Sequence, residues 1–204
     1  MGASAGSRHI TRWVRIRRPR EQKDLRFEAF GMSSGIIMLL RVLHIVGGVF
    51  WVGTAVFIAA LLGPSLRAGG PAAGGVMAHL TQVRRLPIWM MVAMSVTLIA
   101  GFLLYWANAR TGGSAWLGSG PGRTFGLGGL LAVAGGVVGM AVTAPTGRKL
   151  GTLGAALAAA GRPPTPDELA TMQSLQRRLA TAASLVAVLV VLATVAMAVA
   201  RYVS

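Results

Sequence analysis

From residue 29 to residue 166 the chain carries no aspartate or glutamate, and long, continuously apolar runs follow one another through that stretch and past it. A helical run of about 20 residues matches the ~30 Å hydrocarbon thickness of a bilayer. Lipid offers the backbone no hydrogen-bond partner, so only helices or closed barrels cross it. Barrel strands alternate in polarity, whereas these runs do not, which selects helices. Only 12% of the residues are charged, about half the share of an ordinary soluble domain. The sequence therefore predicts an all-α membrane protein.

Breaks between the runs define four transmembrane helices packed as a bundle, with spans at about 36–62, 86–108, 125–146 and 179–200. They form one transmembrane domain, 32–204, behind a basic, polar N-terminal arm, 1–31. Trp13 and Ile16 lie among the arm's charges, a pattern open to disorder or to a short amphipathic helix on an anionic surface. Met32, directly before Ser33 and Ser34, is a second candidate start of the chain. Gly63-Pro64 is expected to stop the first span, and Pro145 to kink or end the third. Residues 76–85 read as an interfacial helix, and 109–124, dense in Gly and Ser with one Pro, as a loop. Trp89 near one end of the second span and Tyr105-Trp106 at the other form an aromatic belt. Thr165, Pro166, Asp167 and Glu168 spell a capping box with proline at the first helical position, so the last helix starts in water.

The net charge of +15 invites a nucleic-acid reading. Eight of the twenty basic residues fall within 8–26, however, and the rest mostly flank spans, which suits anionic lipid headgroups and excludes a nucleic-acid footprint. The lipid bilayer is the expected partner. The first and third connections carry eight basic residues, against four for the second connection, the C-terminus and Arg41. That bias puts both termini outside when the arm is absent; with the arm, the opposite side holds twelve and the vote reverses. The expected location is the bacterial inner (cytoplasmic) membrane, as a multi-pass protein.

His44 is the one histidine inside a span, and it shares a helical face with Gly48, Trp51 and Ala55. An ionisable group there faces a partner or a cofactor. One reading is a neutral imidazole ligating haem iron or copper, with Gly47 and Gly48 making room beside it. The other is a histidine bonded to a neighbouring helix, or one lying at the interface near Arg41. His79 reads as an interfacial histidine. Met90, Met91 and Met94 offer thioethers for copper or haem iron, yet methionine is also ordinary core filler.

The stretch Leu43-His44-Ile45-Val46-Gly47-Gly48-Val49-Phe50-Trp51-Val52-Gly53, a His-x6-Trp-x-Gly pattern in a first membrane helix, resembles CopD-type copper-resistance membrane domains and HemJ-type four-helix proteins. The likeness extends to the second span, where Arg84-Arg85 precedes an apolar run ending near Gly101. It implies a cofactor, haem b or copper, with His44 as ligand and Gly48 and Trp51 beside it. In the third span Gly128, Gly135, Gly136 and Gly139 make a small-residue face suited to close helix packing, including contact with another copy or a membrane-complex partner.

With no cysteine, thiolate metal sites and cysteine nucleophiles are excluded. HExxH, GxSxG and Walker A patterns are lacking too, which leaves protease, hydrolase and NTPase readings unsupported. The classes left open are a cofactor-bearing membrane protein, an accessory subunit of a membrane complex without its own cofactor, and an orphan transporter, for which no polar pathway is visible.

Overall fold

The computed structural model describes residues 33–69 and 75–203. The basic arm and the candidate start at Met32 lie outside the described residues. The chain divides into two units, 1–37 and 38–204. Everything below concerns the second, apart from the opening turn of the first helix.

Four helices, each long and apolar enough to cross a membrane, make up the chain: α1 (Ser34–Ala68), α2 (Leu86–Gly118), α3 (Gly120–Ala160) and α4 (Pro166–Tyr202). No strand occurs among the described residues. The fold is an all-α multi-pass membrane architecture.

Proline does not end the helices where the sequence suggests. Pro64 and Pro145 each lack an N–H, and their rings would collide with the carbonyl four residues back. In both places the helix widens into a π turn, Ile58–Leu62 and Gly139–Thr143, just ahead of the proline. Gly63 donates its N–H to the Ile58 carbonyl and Ala144 to that of Gly139, five residues back in each case. The widened turn absorbs the proline, so α1 runs on to Ala68 and α3 to Ala160.

The 109–124 loop is also corrected. It is helical except at Gly113, whose φ of 60° and ψ of −155° break α2, and at Ser119, whose side chain accepts the Gly122 N–H to start α3. Small residues marked the turns correctly, but they cap short helical pieces. Ahead of α2, residues 79–83 form a π turn closed by the Arg84 N–H on the His79 carbonyl (3.0 Å), and Arg85 takes a left-handed φ of 51°.

The expected start of α4 is present in full. Thr165 caps Glu168, and a Glu168 carboxylate oxygen accepts the Thr165 N–H at 2.8 Å. Arg162 donates to both oxygens of that carboxylate at 2.9 Å. These donors, Arg162 first, lower the Glu168 pKa from its ordinary value to about 2.

Lipid supplies no hydrophobic drive between helices, so the bundle depends on close packing. The core joins Trp51 and Ala55 of α1, Met94 of α2, Ala132 of α3, and Val186, Val190 and Ala193 of α4. Gly128 and Gly135 face α4: a Cβ on either would stand 3.0–3.1 Å from Met197, the Ala193 carbonyl or Val190. Gly136 faces α2, where a Cβ would stand 3.2 Å from the Met94 sulfur. Three of the four expected packing glycines thus meet the chain's own helices, and Gly139 opens onto free space. The residue pairs also run antiparallel, since a step of seven up α3, from Gly128 to Gly135, moves the contact about seven residues down α4. Helix α1 is peripheral, with 11% of its most apolar window buried against 28% for α4.

Two outcomes follow. Gly135→Leu should lower stability by ~1–3 kcal/mol in reversible unfolding from mixed micelles, while Gly129→Leu, with nothing within 4 Å of its Cβ position, should cost nothing. Because the Glu168 carboxylate is favoured in the fold, its contribution to the α4 cap is complete above the ordinary carboxylate range and fades as pH falls towards about 2. Hydrogen-exchange protection at the first turn of α4 should fall over that window, and should lose its pH dependence in Glu168→Gln.

Candidate functional site

The site is built where α1 and α2 meet. His44 lies on the α1 face turned towards α2, and its Nδ1 is 2.8 Å from the Thr97 carbonyl oxygen. A carbonyl can only accept, so Nδ1–H donates and, in the neutral ring, Nε2 keeps the free lone pair. The same carbonyl also belongs to the helical ladder of α2, and its second lone pair is what the imidazole takes.

Access to that carbonyl depends on Gly101, one turn further along α2. A Cβ there would stand 2.7 Å from His44 Cε1 and 2.8 Å from Nδ1, inside the imidazole's own space. Gly47 does the reciprocal service. A Cβ on it would stand 2.7 Å from the Thr97 hydroxyl and 3.3 Å from the Ala93 carbonyl. The two glycines let the helices close on each other, one admitting the imidazole and the other the threonine. Thr97 is 7% exposed, and its hydroxyl is buried without a hydrogen-bond partner.

Thr97 stands eleven residues from Leu86 and eleven from Asn108, the ends of the predicted second span, so His44 meets α2 near the middle of that span, with Arg41 one turn nearer the start of α1. A hydrogen bond between membrane helices contributes ~0.6–2 kcal/mol.

The other sequence-predicted residues fall as follows. Gly48 is half-buried and in ordinary contact with the Thr97 methyl (3.6 Å from its Cβ position). Trp51, seven residues and thus ~10 Å along α1 from His44, is 4% exposed inside the four-helix core. Its ring is part of the core packing. Met94 lies in the core against Gly136, Met90 packs on the core edge, and Met91 is exposed, so the methionines are spread over different surroundings. His79 is exposed in its π turn outside α2.

No group of three His, Cys, Asp or Glu side chains that could hold a metal ion exists among the described residues. Comparison with family models, with curated proteins and with solved structures finds no match.

Sequence reasoning found His44 and missed its two partners. The available signal was a threonine and a glycine four apart, Thr97 and Gly101, a spacing that bares one carbonyl in an apolar helix.

Gly101→Ala should displace the imidazole and lower stability by ~1–2 kcal/mol even though alanine is the better helix former. In a His44→Ala background the same substitution should be neutral or stabilising. A double-mutant cycle in micelles reads that coupling directly.

Proposed function

We propose that the chain is a multi-pass membrane protein that binds haem b through His44, in keeping with its resemblance to the CopD and HemJ groups. The observation that carries this reading is the orientation of the imidazole. Nδ1–H is held on the Thr97 carbonyl, which leaves Nε2 as the lone-pair nitrogen of a half-buried ring. Ligating histidines commonly donate their other ring N–H to a carbonyl or carboxylate, which fixes the ring and raises its basicity.

The donor set favours haem over copper. A copper site needs several protein ligands; no group of three His, Cys, Asp or Glu side chains exists among the described residues, and Met94 and Met90 are packed in or on the core. Haem brings four nitrogens of its own and asks one axial ligand of the protein. Bound there, haem b would supply one-electron redox chemistry. The chain's own part is to hold Nε2 still near mid-membrane, through Thr97 and Gly101, and to keep water from it with the apolar faces of α1 and α2.

A second reading has its own observation. The His44–Thr97 bond also serves as a clasp between α1 and α2, which suits an accessory subunit without a cofactor, one whose lightly covered α1 packs on another membrane protein. We place the protein in the cytoplasmic membrane of a bacterium. We place the end bearing Arg84-Arg85, Arg148-Lys149 and Arg177-Arg178 on the cytoplasmic side because these pairs directly abut spans. The eight basic residues at 8–26, which count for the other side, stand further from the first span.

Absorption spectra of the detergent-purified protein, oxidised and reduced, separate the two readings. Haem ligation gives a Soret band that is lost in His44→Ala and weakened in Gly101→Ala, while Met94→Leu leaves it intact. A colourless preparation that takes up no added haemin, or one whose band survives His44→Ala, contradicts the haem reading; co-purifying membrane proteins would then support the accessory one.

A further inference from the structure

Contact pairs inside the bundle fix which residues share a depth. Gly135 of α3 meets Val190 of α4, and Gly136 meets Met94 and Leu98 of α2. Thirteen residues on from Gly135 lies Arg148, and thirteen back from Val190 lies Arg177. Twelve back along α2 from the Met94–Leu98 turn falls within 82–86, where Arg84 and Arg85 stand. Arg148 and Lys149 of α3, Arg177 and Arg178 of α4, and Arg84 and Arg85 in the break just ahead of α2 therefore form one collar around the same end of the bundle. All six are exposed.

The collar sits at headgroup depth. On α3, Arg123 and Arg148 are 25 residues apart, and on α4, Arg178 and Arg201 are 23 apart. At 1.5 Å per residue these are ~35–37 Å, between the ~30 Å hydrocarbon core and the ~40–45 Å full bilayer. Among the described residues none of these six cations is in an ion pair. The one ion pair among the described residues is Arg162–Glu168, and Asp167 and Glu168 are the only acids described. Both acids stand about ten residues, ~15 Å along α4, beyond Arg177. The hairpin formed by the ends of α3 and α4 carries them away from the membrane plane.

We infer that this collar is a binding surface for anionic phospholipid, whose phosphates lie at the depth of the six cations and supply their countercharge. Guanidinium groups donate paired N–H bonds to phosphate oxygens, and five of the six cations are arginines. Among the described residues the opposite end carries Arg41, Arg110, Arg123 and Arg201, none of them adjacent to another, so the paired cations are confined to the collar. It is independent of any ligand at His44.

The test uses the full chain in nanodiscs of phosphatidylcholine, with and without phosphatidylglycerol, read by thermal unfolding. Phosphatidylglycerol should raise Tm by several degrees, and added salt should shrink the shift. The shift should vanish in Arg84→Gln/Arg85→Gln/Arg177→Gln/Arg178→Gln and persist in Arg123→Gln/Arg201→Gln. The milder pair Arg84→Gln/Arg85→Gln, expected to keep part of the shift, covers the case in which the fourfold variant fails to fold. An equal shift in the collar and opposite-end variants would overturn the proposal. So would the same shift from inorganic phosphate or a short DNA duplex added to phosphatidylcholine discs, which would assign the surface to a free anion or to nucleic acid.

Discussion

Helices in lipid have already hidden their apolar side chains, so close packing, helped by a rare interhelical hydrogen bond, holds them together. The bundle rests on places where a glycine lets a side chain or carbonyl of the facing helix come right up to its backbone. Gly128 and Gly135 bring α3 onto α4, Gly136 brings it onto the Met94 turn of α2, and Gly47 and Gly101 bring α1 onto α2. Around these points the small and branched residues of α4, Val186, Val190 and Ala193, close on Trp51, the one large ring in the core. Most of the remaining apolar surface faces lipid, as the low buried share of every span requires.

The same constraint shapes the surroundings of His44. A carbonyl inside an apolar helix is normally covered by the residue four positions on, and a histidine inside lipid is normally too costly to keep. Glycine at 101 uncovers the Thr97 carbonyl, and the carbonyl then satisfies one nitrogen of His44 and decides which nitrogen is left. A packing device and a ligand-orienting device are thus one arrangement. Its reach extends only to the single nitrogen it frees, since Trp51 and Met94 are committed to the core.

Much of the fold is legible in the chain. Four apolar runs and the Thr165–Glu168 cap read directly, because bilayer thickness and helix ends impose local patterns. Proline and glycine are less transparent. Gly63-Pro64 and Ala144-Pro145 look like stops, yet a π turn upstream of each lets the helix continue, and a local pattern cannot tell a break from an absorbed one. Likewise Gly112, Gly113 and Ser119 look like a loop when only Gly113 and Ser119 leave the helix. His44 stands out by its rarity. Its partner is a backbone oxygen, which no residue type announces, so Thr97 and Gly101 come into view only when the helices are paired.

The most direct measurement on the His44 arrangement is the pair of imidazole nitrogen-15 chemical shifts, recorded by solid-state NMR on labelled protein in lipid without added haem. With Nδ1–H on the Thr97 carbonyl, Nδ1 should appear as a protonated nitrogen and Nε2 as a bare one, and Gly101→Ala should scramble the two. The opposite tautomer, or an even mixture in the unmodified chain, would contradict the claim that the fold selects Nε2 as the free nitrogen.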